Sequence, residues 1–280
     1  MGDNNMAKNY KTYKNKLYFK GLLKKYFGLI IAAAAIILLV NTIISSLASK
    51  NPLEGKSILI DPGHGGNDTG YTDGMSFYEK NINLHFALEL KKILEENKAF
   101  VTLTRNSDIN LDSISVFNPL QSTKTADERK NQINSGKYDI FISLHVGLSD
   151  NINTAGPNVI CSDEMQLSEF LGYYIQEQLN SHIKKELKLQ ISYNVAKSDD
   201  YIFKDTIIPG VIIQTGYMSN AREKQLLQDS RYRRTLCMRI CDGIKRYFDA
   251  LLNIDVNKGQ PDEKESQPFK LINNIEFVNK

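Results

Sequence analysis

Four short apolar runs constrain the fold of this 280-residue chain most: 58–60, 99–104, 138–145 and 207–214. Each is rich in β-branched or aromatic residues, and each breaks off into polar or glycine residues, as buried strands do. A fifth run, 158–162, has the same character. The stretches between them carry a helical period. Residues 79–97 place apolar side chains at 82, 84, 86, 88, 90, 93 and 94, a spacing that fits a helix packed on a sheet. Further helices are expected over 126–135, 164–183 and 231–252, with Asn220 and Glu223 forming a cap ahead of the last one. Strands alternating with helices predict an α/β domain with a mostly parallel central sheet flanked by helices. Such sheets gather their functional groups at the carboxyl ends of the strands.

The first strand runs into Asp61-Pro-Gly-His64-Gly-Gly-Asn-Asp-Thr-Gly70. Glycines there permit tight turns and close backbone approach. A dinucleotide fingerprint starting at Gly63 would need glycine at 68, where the chain has Asp68. A phosphate loop starting at Gly65 would need lysine at 71, where it has Tyr71. What remains is an imidazole at the end of a strand, which is either a turn residue or a metal or catalytic group.

The ends of the chain are of different character. Seven lysines and one acid within residues 1–27 give that arm +6, so with the whole chain at +3 the remainder carries −3. The basic character therefore belongs to the arm, and the rest shows no nucleic-acid signature. Residues 28–47 carry no charge, enough for a helix of about 30 Å, the thickness of a bilayer's hydrocarbon core. The expectation is a cytoplasmic arm (1–27), a membrane-spanning helix or long signal peptide (28–48), an extracytoplasmic domain (49–252) and a disordered polar tail (253–280). Ser46-Leu-Ala48 resembles a cleavage site, but the apolar run exceeds a signal core of ~7–15 residues, so an uncleaved anchor is favoured. Cys161, Cys237 and Cys241 are odd in number, and the last two, four apart on a helix, suit packing better than a disulfide framework.

His64 after the first strand, Glu79 opening the next helix and His145 ending the third strand fall at one edge of the expected sheet. Two histidines and a carboxylate are the ligand type of catalytic zinc. There is no HExxH, so the three would come from separate elements. Glu79 could instead serve the helix dipole, and His145 could be a core histidine. His85 and His182 are read as ordinary helix residues.

With these residues in view, the chain from about Lys56 to Leu252 resembles the zinc-dependent N-acetylmuramoyl-L-alanine amidases, cell-wall hydrolases of the Amidase_3 type. The resemblance is carried by 58–66 around His64, Tyr78-Glu-Lys-Asn-Ile-Asn83, Leu103-Thr-Arg105 with Asp108, Arg129 with Asn134, Phe141-Ile-Ser-Leu-His145 and Gly216-Tyr-Met-Ser-Asn220. It implies Zn²⁺ held by His64, Glu79 and His145, and substrate binding by Arg129 and Asn134. It also implies hydrolysis of the amide between N-acetylmuramic acid and the L-alanine of peptidoglycan stem peptides. Peptidoglycan and muropeptides are the partners it implies, and a protein partner stays unknown.

The departures are specific. Gln214 stands where the family has a catalytic glutamate, and Gly147 where it has asparagine. The loop between Asp108 and Arg129 is longer than the pattern, with Phe117-Asn-Pro-Leu-Gln121 inserted. A glutamine amide neither takes a proton from water nor passes one to a leaving amine, and such help is worth about 10²–10⁴-fold. Asp68 or an acid of the inserted loop could stand in, and the sequence singles out neither. Two expectations follow: a membrane-anchored amidase of reduced turnover, or a zinc-binding pseudoamidase that binds cell wall or regulates a partner.

Overall fold

The computed structural model describes residues 51–107 and 126–256, together with helical positions 13, 16, 18, 20, 21, 24–29 and 31–39. The chain divides into two units, 1–50 and 51–280. In the first, the described stretch 31–39 is helical with Ile36, Ile37, Leu38 and Leu39 exposed. Among the described residues no helix is long and apolar enough to cross a membrane. Positions 30 and 40–48 of that span lie outside the described residues, as do Asp108, the inserted loop and the tail from 257 onward.

The second unit is a six-stranded sheet flanked by helices. In chain order its elements are β1 (Ser57–Pro62), α1 (Glu79–Glu96), β2 (Phe100–Leu103), α2 (Ala126–Ile133), β3 (Ile140–Gly147), β4 (Asn158–Ser162), α3 (Gln166–Lys185), β5 (Ala196–Ser198), β6 (Gly210–Tyr217), α4 (Ala221–Gln228) and α5 (Ser230–Val256). The strand order is β2-β1-β3-β6-β4-β5. All pairings are parallel except β4 on β6. The expected mostly parallel sheet is therefore found, with one reversed pairing and one short strand, β5, that the sequence did not announce. The final helix runs on to Val256, past the expected stop at Leu252.

Alternation along the strands separates two layers. Ile58, Ile60, Ile140, Ile142, Leu144, Val211 and Ile213 join the larger core with α1, α3 and α5. Leu59, Phe141 and Ile212 face the opposite way and pack with Ile133 of α2 and Phe203. His145 and Gln214 stand in register on neighbouring strands, two residues beyond Ser143 and Ile212. By the same alternation they belong to this second face, at its carboxyl edge. The three cysteines are buried and free.

Candidate metal centre

Three devices bring His64, Glu79 and His145 together. Immediately after β1, His64 adopts φ 61, a left-handed conformation that costs energy for a residue with a Cβ and marks a turn held by its surroundings. Gly63 precedes it because a Cβ there would lie 2.2 Å from the His145 ring, and Gly70, at φ +60, would put one 2.7 Å from Glu79 Oε2. Finally, the Arg105 side chain fastens the turn. Its Nε donates to the carbonyls of Pro62 (3.1 Å) and His64 (2.8 Å), and its Nη2 to those of Gly63 (3.0 Å) and Lys80 (2.8 Å).

His64 Nε2 lies 3.3 Å, and His145 Nδ1 3.2 Å, from Glu79 Oε1. One ligand atom from each of the three residues lies within 4.8 Å of the others. Bonds of ~2.0–2.2 Å to a tetrahedral metal place ligand atoms about 3.4 Å apart, so the separations fit a single ion. The carboxylate is 1 % exposed, the two imidazoles 25 % and 26 %, so the site is anchored below and open above.

The surroundings orient each ligand. Asp68 Oδ2 stands 2.8 Å from His64 Nδ1, leaving Nε2 for the centre. Glu79 Oε1 accepts from the Val146 N–H (2.9 Å) and Asn83 Nδ2 (3.3 Å), and Oε2 from the Tyr71 N–H (3.0 Å). Burial pushes the Glu79 carboxyl up, but hydrogen bonds to His145 and His64 and from the two N–H groups outweigh it and hold it well below the usual range. Burial lowers His64, while Glu79 and Asp68 raise it further, for a net upward shift. A buried carboxylate with two oriented imidazoles is the donor chemistry of a first-row divalent metal.

A cleft of about 390 Å³ opens over the ligands and is lined by Tyr71, Ile160, Asp200, Ile212 and Gln214 as well. Gln214 therefore shares the cleft with His64, Glu79 and His145. The absent side chain at Gly147 has a local cause: a Cβ there would lie 2.8 Å from the Tyr217 ring and 3.2 Å from Gln214 Oε1. Tyr217 fills the space an asparagine would use.

The two expected substrate-binding residues make contacts of their own beside this cleft. Arg129 Nη1 is 3.7 Å from Asp61 Oδ2, a buried carboxylate that also accepts from Thr104 Oγ1 (2.6 Å) and Ser143 Oγ (2.9 Å). Asn134 donates to the Asp205 carbonyl (2.9 Å) and accepts from the Ile207 N–H (3.1 Å), tying α2 to the loop before β6. Neither is among the described residues lining the cleft. Asp68 is engaged with His64, so its first task is to orient that ring. Asp200 was missed; its only sequence signal is a pair of acids, Asp199-Asp200, in a loop.

A family model for N-acetylmuramoyl-L-alanine amidase matches residues 58–246. The protein named "Probable cell wall amidase LytH" from Staphylococcus epidermidis is 32 % identical over 207 residues, covering 72 % of this chain and 62 % of that one. Its Staphylococcus aureus counterpart is 29 % identical over 206 residues, covering 72 % and 61 %. The chain thus spans less than two thirds of the length of these curated relatives. Among solved structures, the CwlD amidase of Clostridioides difficile, determined in complex with the GerS lipoprotein, matches with 30 % identity and a TM-score of 0.60. That match covers 70 % of this chain and 100 % of the other. The catalytic domain of the amidase CwlV from Bacillus (Paenibacillus) polymyxa matches with 25 % identity and a TM-score of 0.58, covering 69 % and 98 %.

Proposed function

This chain belongs to the N-acetylmuramoyl-L-alanine amidase family, and on that premise we propose that it is a metal-dependent hydrolase of the amide between N-acetylmuramic acid and L-alanine in peptidoglycan. The observation that carries the reading is the His64–Glu79–His145 cluster, whose ligand atoms lie within 4.8 Å of one another at the mouth of a cleft. Zn²⁺ is the ion that a His₂Glu set with an open side suits best. Bound there, zinc supplies Lewis-acid polarisation of a carbonyl and acidification of water.

The chain's own residues do the rest. His64, Glu79 and His145 hold the ion, Asp68 fixes the His64 ring, and Tyr71 and Gln214 flank the position of the scissile amide. The Gln214 amide can donate to and accept from substrate but cannot shuttle a proton. Turnover by the natural chain is accordingly slow. The reading places the domain outside the cytoplasmic membrane, anchored through 28–48; its support is the uncharged run and the lysine-rich arm before it.

A second reading, a zinc-binding pseudoamidase that binds cell wall or regulates a partner, is favoured by Gln214 alone. Release of stem peptide from purified muropeptides by the zinc-loaded full chain, abolished in His64→Ala, supports the amidase. Muropeptide binding without any release over long incubation supports the second reading.

A further inference from the structure

We propose that Asp200 sets the specificity of the cleft by holding a cationic side chain of the peptide, two to three residues from the bond that is cut. The inference rests on the amidase reading, because it takes the metal cluster as the end where the scissile amide lies. From that end the cleft follows β6: Gln214 and Ile212 line it two residues apart on one strand face, a step of about 7 Å. Ile160 stands opposite Ile212 across the β4–β6 pair and lines the cleft too. Asp200, two residues after β5, joins these two isoleucines in the lining. The order of surfaces is thus metal ligands, a neutral amide, an apolar floor and a carboxyl group.

Asp200 is held in place. Its N–H donates to Ser198 Oγ (3.1 Å), its Oδ1 accepts from the Ile202 N–H (3.0 Å), and its carbonyl accepts from the N–H of Phe203 (2.9 Å). Phe203 is buried in the core layer beneath. The same loop is fastened to α2 by Lys130 Nζ on Asp205 (2.9 Å) and by the two Asn134 bonds. One accepted N–H leaves a carboxylate with most of its acceptor capacity.

Of the two acids among the described lining residues, Glu79 is committed to the metal cluster, which leaves Asp200 to meet charge on the ligand. An extended peptide advances at most ~3.3–3.6 Å per residue, so a side chain two to three residues from the amide reaches past Gln214 and Ile212. The chemistry at that distance is apolar for the aliphatic stem of an amine-bearing side chain and anionic for its tip. A neutral or acylated side chain finds no partner for the carboxylate.

The test compares a muramoyl tripeptide ending in lysine with its Nε-acetyl-lysine counterpart, on the zinc-loaded full chain, by calorimetric binding and by kcat/KM. The wild type is expected to favour the free amine about tenfold, an amount in keeping with one charge-assisted hydrogen bond. Asp200→Asn is expected to bring the two substrates level, through KM. Equal cleavage of both by the wild type, or a preference that survives in Asp200→Asn, overturns the inference while the amidase stands. Preferential binding of the amine without cleavage overturns the amidase and keeps the inference. Binding of neither overturns both.

Discussion

Asp68 Oδ2 lies 2.8 Å from His64 Nδ1, on a turn where His64 is already held at φ 61. The carboxylate thus selects which ring nitrogen faces Glu79, and the backbone fixes where that nitrogen is. Outer partners of this kind are worth about 10–100-fold in metal affinity. Asp68→Ala should weaken zinc binding by that factor, measured by competition with a chelator, while the far-ultraviolet circular dichroism stays that of the parent. Unchanged zinc affinity would remove Asp68 from the site.

Arg105 makes four bonds to carbonyls that frame the ligand turn. Replacing it with leucine leaves several of those carbonyls unpaired, at about 1–3 kcal/mol for each buried group that water cannot reach. Arg105→Leu should lower the unfolding free energy by about 2–4 kcal/mol in urea titrations and reduce zinc affinity together with it. A loss confined to activity, with stability intact, would contradict the clamp.

Gly147 and Tyr217 occupy one another's space. A Cβ at 147 meets the Tyr217 ring at 2.8 Å, closer than side chains pack. Gly147→Asn should therefore cost about 1–3 kcal/mol by overpacking. The cost should shrink when Tyr217→Val is added, a coupling that a double-mutant cycle reads directly. Additive effects would show that the two positions are independent.

His182 lies at the packed face of α3, 1 % exposed, with its ring centroid 5.5 Å from that of Tyr232 on α5. Among the described residues neither ring nitrogen has a hydrogen-bond partner. Burial pushes its pKa down to about 4; Glu186 opposes the shift and Arg239 adds to it. The unfolded chain takes this proton near the ordinary value of about 6.5, so it binds more protons than the fold between the two. Stability contributed by the neutral ring is present above about 6.5 and lost as pH falls toward about 4, by at most about 3 kcal/mol. His182→Leu should flatten that part of the stability–pH curve measured by urea unfolding. A slope unchanged by the substitution would assign it to other groups.

Much of this was legible in the sequence for physical reasons. The apolar runs that became β1, β3 and β6 are buried strands with little alternative, and each delivers its site residue at its carboxyl end. Gly63 and Gly70 were readable as sites of close approach, and the approaching groups prove to be His145 and Glu79. Residue type and strand position made His64, Glu79 and His145 candidates, the family resemblance singled them out as a set, and the structure brings the three side chains together. Other features depend on contacts that sequence separation hides. Asn134 meets its partners 71 and 73 residues away, so its loop-tying role carried no local signal. The reversal of β4 on β6 is a matter of topology, and β5 is three residues without an apolar run. Gly147 read as a lost side chain, yet Tyr217, seventy residues on, accounts for it.

The central claim is that this site is built for amide hydrolysis and lacks one general base. The most direct measurement is the rate of stem-peptide release from muropeptides by the zinc-loaded full chain beside Gln214→Glu, with His64→Ala as the reference without the ligand. The account predicts slow release by the natural chain, about 10²-fold or more acceleration in Gln214→Glu, and none in His64→Ala. A Gln214→Glu variant that binds zinc and muropeptide yet cleaves no faster than the natural chain would contradict it.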